Sequence, residues 1–249
     1  MKLIDGILRW GEEKGRKPCL IWNGEILTYQ ELQEKVISLG KRLSALDMKG
    51  KVLAVRLTDP KMQLLYFLAA KKIGAVPLLL HEYLSGKEIA DLLCHRPIHG
   101  ILSDTPFEGI SWTPFGHLFW HEEGNGNERR GFAVLTSGSS GLPKVLFRDD
   151  ESWTDFFPVQ SEIFHMSSSS CLYQQGSMAF TGNLNMAMAF LWEGATIVGT
   201  TRLFPKTWMK DITSYGITHV YMIPSKLLAL CRVKDKAASV SYVLTGSQL

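Results

Sequence analysis

The chain has 249 residues, of which 45% are hydrophobic and 20% charged, the composition of a globular protein and not of a disordered chain or a disulfide-stapled miniprotein. Its net charge of +3 is too weak to hold nucleic acid or an anionic membrane without specific pockets, so no nucleic-acid partner is expected. Cys19, Cys94, Cys171 and Cys231 show no CxxC spacing and read as reduced structural thiols, and the charged start MKLIDGILRWGEEKGRK does not read as a secretory signal. Lys71 and Lys72 interrupt the longest apolar neighbourhood well short of the roughly 20 residues that a membrane span needs. A cytoplasmic protein is expected.

In chain order, Thr28 and Glu31 have the spacing of a capping box, and Leu32, Val36, Leu39, Leu43 and Leu46 form one stripe of a helix over 29–46. KVLAVRL (Lys51–Leu57) reads as a strand, followed by a helix capped by Asp59 with Pro60 in its first turn and ended by Gly74. Ala75–Leu80 reads as a buried strand, Ser85 and Glu88 as a second capping box, and HGILSD after Pro97 as another strand. The Pro-, Gly- and Asn-rich stretch from Thr105 to Gly131 reads as a surface connection, and the run Ser167–Ser170 as a loop. The alternation then resumes with a helix over 183–192, a strand ATIVGT, a helix over 206–215 and a strand THVYMI. Strands and helices alternating at this spacing give an α/β fold class built on mainly parallel sheet covered by helices on both faces.

The stretch that carries chemistry is FAVLTSGSSGLPK, from Phe132 to Lys144. A short apolar strand runs into a loop in which Gly138 and Gly141 can turn several N–H groups toward one anion. Thr136, Ser137, Ser139 and Ser140 add hydroxyls, and Lys144 adds a mobile charge. The glycine spacing and Pro143 do not fit a Walker A loop. This string resembles the signature loop of the adenylate-forming superfamily, which includes acyl- and aryl-CoA synthetases, luciferases and peptide-synthetase adenylation domains. LTYQEL (Leu27–Leu32) and KKIGAVPLLL (Lys71–Leu80) resemble its first two core motifs in the right order. LWEGATIV, MIPSKLLAL and VLTGSQL resemble later segments, so that the likeness spans the whole chain. Val145 stands where the signature usually has glycine, a departure that the loop is expected to tolerate.

The resemblance implies an N-terminal part of an AMP-dependent synthetase with two lobes, one over about 47–169 and the other over about 1–46 plus 170–249. The second lobe is expected to be incomplete after Leu249, where relatives continue. It implies ATP-dependent adenylation of a fatty or aryl carboxylic acid, Mg2+ at the phosphates, and thioester formation with coenzyme A. Thr136, Ser137, Gly138, Ser139, Ser140, Gly141 and Lys144 would hold the outer phosphates. Phe180, Gly182, Gly246 and Ser247 would border the acid and adenine, although Phe180 could equally be a core aromatic. No catalytic residue and no metal ligand is assigned: Pro97 breaks the helix that would align Cys94, His95 and His99, and Ser140 has no Gly-x-Ser-x-Gly setting. An adenylation domain loading a carrier protein is the alternative of the same chemistry. A non-catalytic fragment that at most binds nucleotide is the alternative of another class. The 249-residue chain by itself is expected to be inactive in pyrophosphate exchange and to self-associate through the incomplete lobe.

Overall fold

The computed structural model describes residues 2–123, 127–136 and 143–246. They divide into two compact units. Unit one comprises Met1–Gln33, Trp153–Gly176 and Gly182–Leu249, and unit two Glu34–Ser152 and Ser177–Thr181. The lobe boundaries expected near 47 and 169 therefore differ from these divisions: 34–46 falls with unit two and 153–169 with unit one.

Unit one carries a six-stranded sheet. Its strands are β1 (Pro18–Trp22), β2 (Glu25–Thr28), β10 (Cys171–Gln175), β11 (Thr196–Thr200), β12 (His219–Tyr221) and β13 (Tyr242–Leu244), in the order β13-β12-β10-β11-β1-β2. All neighbours are parallel except the hairpin β1–β2. Ile21, Tyr173, Val198, Trp208, Ile212 and Val220 lie in its buried core.

Unit two carries β3 (Val52–Arg56), β4 (Val76–Leu79), β5 (Gly100–Ser103), β6 (Thr113–Phe115), β7 (Leu118–Glu122), β8 (Phe132–Thr136) and β9 (Lys144–Arg148). Their order is β6-β7-β5-β3-β4-β8-β9, with a parallel centre and antiparallel flanks. Helices Pro60–Lys72 and Gly86–His95 make the crossovers between the parallel strands β3, β4 and β5. Val52, Val76, Leu78, Ile89, Leu92 and Ile101 are buried together.

Local chemistry explains these elements. Both capping boxes form: Thr28 Oγ1 accepts from the Glu31 N–H at 3.3 Å while Glu31 accepts from the Thr28 N–H at 2.8 Å, and Ser85 and Glu88 do the same at 3.3 and 2.8 Å. The helix they start at Tyr29 runs to Leu43, with a 3-10 turn at Ser44–Leu46. Asp59 caps its helix by accepting from the Lys61 N–H at 2.9 Å. The stretch 105–131 is a correction to the sequence reading, since it contains the hairpin β6–β7, which extends the sheet beside β5. Of the hairpin's apolar side chains only Leu118 and Trp120 are buried, while Phe115 and Phe119 are half-buried. Trp120 lies over Gly100, where a Cβ would meet its ring at 2.0 Å, so the fit depends on a distant glycine that no local pattern reveals.

Candidate functional site

In unit two, the signature segment occupies β8, β9 and the connection between them. The register pairs Phe132 with Arg148 and ends by pairing Thr136 with Lys144, so these two residues face each other where the connection begins and ends. Ser137, Gly138, Ser139, Ser140 and Gly141 lie outside the described residues. Pro143 is held from outside the hairpin, its carbonyl accepting from Arg96 Nε–H at 3.0 Å. Along β9, Val145 and Phe147 pack with Leu135 against the unit's core, whereas Lys144, Leu146 and Arg148 are exposed. Val145, in the place of glycine, sits opposite Leu135, adding apolar packing at the base of the loop that glycine would forfeit.

Phe180 is 48% exposed, which removes the reading of it as a core aromatic. It contacts the His81 ring at 4.3 Å between centroids, and His81 is in turn stacked on Tyr83 at 4.8 Å. His81 follows β4 by two residues, and burial pushes its imidazole below the ordinary histidine value, favouring the neutral form. The peptide before Phe180 is anchored by Gln63, whose Oε1 accepts from the Ser177 hydroxyl at 2.9 Å and the Met178 N–H at 2.7 Å.

In unit one, strand order reverses at β10: the chain leaves β10 for β11 on one side and returns as β12 on the other. Such a switch point, at the carboxyl ends of parallel strands, leaves a crevice where ligands bind in open α/β sheets. Gly182 and Gly246 are brought together here by a residue the sequence reading missed. A Cβ on Gly182 would lie 2.0 Å from the Tyr221 Oη, and one on Gly246 would lie 2.9 Å from the same atom. Tyr221 ends β12, and burial raises its phenol above the ordinary value, so the hydroxyl keeps its proton and can donate at neutral pH. Beside it, Lys226 donates to the Gln175 side chain at the end of β10. A Cβ on Gly176 would meet Asn183 Nδ2 and Lys226 Nζ, both at 3.3 Å. Ser247 lies outside the described residues. Tyr221, Gln175 and His81 lie in none of the segments that carry the resemblance, and Lys226 lies in MIPSKLLAL without having been singled out; their signal is position, at or just past the ends of parallel strands or, for Lys226, in the helix that follows one.

No family model matches the chain. It is 23% identical over 230 residues, 90% of its length, to "Putative long chain fatty acid-CoA ligase VraA" of Staphylococcus aureus, of which it covers 49%. It is 28% identical over 147 residues, 55% of its length, to the 2-succinylbenzoate–CoA ligase of Listeria monocytogenes, of which it covers 32%. The chain thus spans half the length or less of these relatives. Its fold matches o-succinylbenzoate CoA synthetase of Bacillus subtilis, solved with an acyl-adenylate intermediate, at a TM-score of 0.83 and 16% identity, covering 98% of this chain and 53% of that one. It matches the N-terminal subdomain of Klebsiella oxytoca NpsA, solved with 3-hydroxybenzoyl-AMSN, at 0.79 and 19%, covering 99% and 66%. The chain resembles the N-terminal part of adenylate-forming enzymes in sequence, and its α/β fold is that of the same part.

Proposed function

We propose that this chain is the nucleotide- and acid-binding part of an AMP-forming carboxylic acid:CoA ligase acting on a fatty or aryl acid. The observation that carries the reading is the β8–β9 hairpin, whose register sets Thr136 opposite Lys144 at the two ends of the serine- and glycine-rich connection. In that reaction the acid's carboxylate oxygen bonds to the α-phosphorus of ATP as the bond to the bridging oxygen breaks, and pyrophosphate leaves with the electron pair. A thiol then displaces AMP from the acyl carbon. The hydroxyls and amides from Thr136 to Gly141, with Lys144, hold the β- and γ-phosphates and stabilise the charge that develops on the leaving group. Phe180 borders the acid, and Gly182, Gly246 and Ser247 border the acid and adenine. Tyr221 leaves no side-chain room at either glycine.

Among the described residues no group of three or more His, Cys, Asp or Glu side chains could hold a metal ion; Mg2+, as the resemblance implies it, would be held chiefly by the nucleotide's own phosphates with one or two carboxylates. Coenzyme A as the acceptor, in preference to a carrier protein, is supported by the two CoA ligase relatives. No described helix is long and apolar enough to cross a membrane.

Calorimetry with ATP and AMP tests the phosphate assignment. Lys144→Ala should weaken ATP binding by about 1.5 to 3 kcal/mol, the range of a hydrogen bond to a charged group, and leave AMP binding little changed because AMP lacks the outer phosphates. Equal losses for both nucleotides would reject the role given to Lys144.

A further inference from the structure

Two of the most exposed large apolar side chains of the described residues are adjacent in sequence: Leu203 at 67% and Phe204 at 70%. They form the tip of the turn between β11 and the helix Pro205–Ser214 in unit one, and the turn is braced on both sides. Arg202 N–H donates to Thr200 Oγ1 at 3.1 Å, and Trp208 Nε1–H donates to the Arg202 carbonyl at 2.6 Å. The Phe204 carbonyl accepts from the Thr207 and Trp208 N–H groups at 2.9 and 3.2 Å. Asn23 Oδ1 accepts from the Thr200 hydroxyl and the Thr201 N–H, both at 3.0 Å. The apolar pair is therefore held outward by a network behind it, and its exposure is fixed by hydrogen bonds and not by a loose loop.

The charge around the tip has one dominant sign. Arg202 precedes the pair, Lys206 follows it, and Lys210 lies one turn beyond Lys206 on the same helix face; all three are exposed. Asp211 is the acid whose field involves Arg202 and Lys210, leaving the cluster at net +2 from three cations and one anion. An apolar tip inside a cationic collar matches an anionic lipid surface, where acyl chains receive the apolar groups and headgroup phosphates meet the cations. The weak overall charge of +3 does not oppose this, because the collar gathers much of it in one place.

We propose that this turn, with Leu203 and Phe204 inserted and Arg202, Lys206 and Lys210 at headgroup level, docks the protein reversibly on anionic membranes. Vesicle sedimentation tests it with two sets of vesicles, phosphatidylcholine mixed with phosphatidylglycerol and phosphatidylcholine alone. The wild-type chain should partition to the mixed vesicles, less at high salt, and several-fold less to the neutral ones. Leu203→Ser with Phe204→Ser should lower partitioning at least about tenfold, the loss of two inserted apolar side chains. Lys206→Glu with Lys210→Glu should lower it about fivefold or more per cation on mixed vesicles only. Because all four side chains are exposed, both variants should melt like the wild type. No partitioning by the wild type, or partitioning unchanged in either variant, would overturn the proposal; the former with retention of the apolar tip in a protein complex would point to a protein groove instead.

Discussion

A hydroxyl oxygen positioned where two glycines meet makes a strict demand on each of the three residues. A methyl group added at Gly182 would lie 2.0 Å from Tyr221 Oη and 3.1 Å from its Cζ, so the ring must swing away from the end of β12. Overpacking of this kind costs about 1–3 kcal/mol, and Gly182→Ala should lower stability in urea by that amount. Tyr221→Phe removes the nearer atom but leaves the ring carbon in tight contact, so it should recover part of the loss in the double variant. A double-mutant cycle measures the coupling, and strictly additive effects would show that the two side chains do not compete for one space. The glycines were legible in the sequence through the resemblance alone. The tyrosine was not, because nothing in THVYMIP distinguishes a crevice residue from another strand aromatic until the strand order is known.

Individual elements show the same division between what is local and what is not. Capping boxes, Pro at the first helical position and runs of β-branched residues are decided within a few residues, which is why the helices starting at Tyr29, Pro60 and Gly86 and the strands β3, β4, β5 and β11 were readable. The hairpin β6–β7 and strand β9 were not: β9 alternates half-buried and exposed residues over only five positions, and its pairing with β8 is known only from the sheet. Strand β12 carries a test of element stability. His219 is 2% exposed, sits between Tyr242 at 4.8 Å and Phe190 at 5.2 Å, and has both nitrogens engaged. Nε2 lies 2.8 Å from the Phe164 carbonyl, to which it donates, and Nδ1 lies 2.8 Å from the Thr218 hydroxyl. Burial lowers its imidazole pKa, and exposed His165, whose ring is 5.3 Å from that of Tyr242, opposes a second positive charge. A base depressed in the folded state is neutral in both states above its unfolded value of about 6.5, so its contribution is intact there. As pH falls below that value the unfolded chain takes the proton first, and stability should drop by up to about 1.4 kcal/mol per pH unit until the folded value is reached. His219→Gln keeps a donor for the Phe164 carbonyl without titrating, so its urea midpoint should vary less with pH between about 6.5 and 5. An unchanged pH dependence in the variant would assign the effect to other groups.

At the scale of the whole chain, the two sheets differ in how their strands are flanked, and that difference predicts how each opens. β3 lies between β5 and β4, and β8 between β4 and β9, so both have hydrogen-bonded neighbours on each side and core residues beneath them. Among the described residues β13 has one neighbour, β12, and is three residues long with Val243 54% exposed. Backbone groups on the free side of an edge strand face water or another chain, and they open by local fluctuations far smaller than global unfolding. Amide hydrogen exchange should therefore be slow at Val52–Arg56 and Phe132–Thr136 and fast at Tyr242–Leu244. His219–Tyr221 should fall between, being paired on both sides but short. The ordering follows from strand position alone and holds whether or not the unit is longer in the native polypeptide, provided the free edge of β13 stays free. If Tyr242–Leu244 exchanges as slowly as β3, that edge is covered. Protection that then rises with protein concentration would identify the cover as a second copy of the chain, pairing edge to edge.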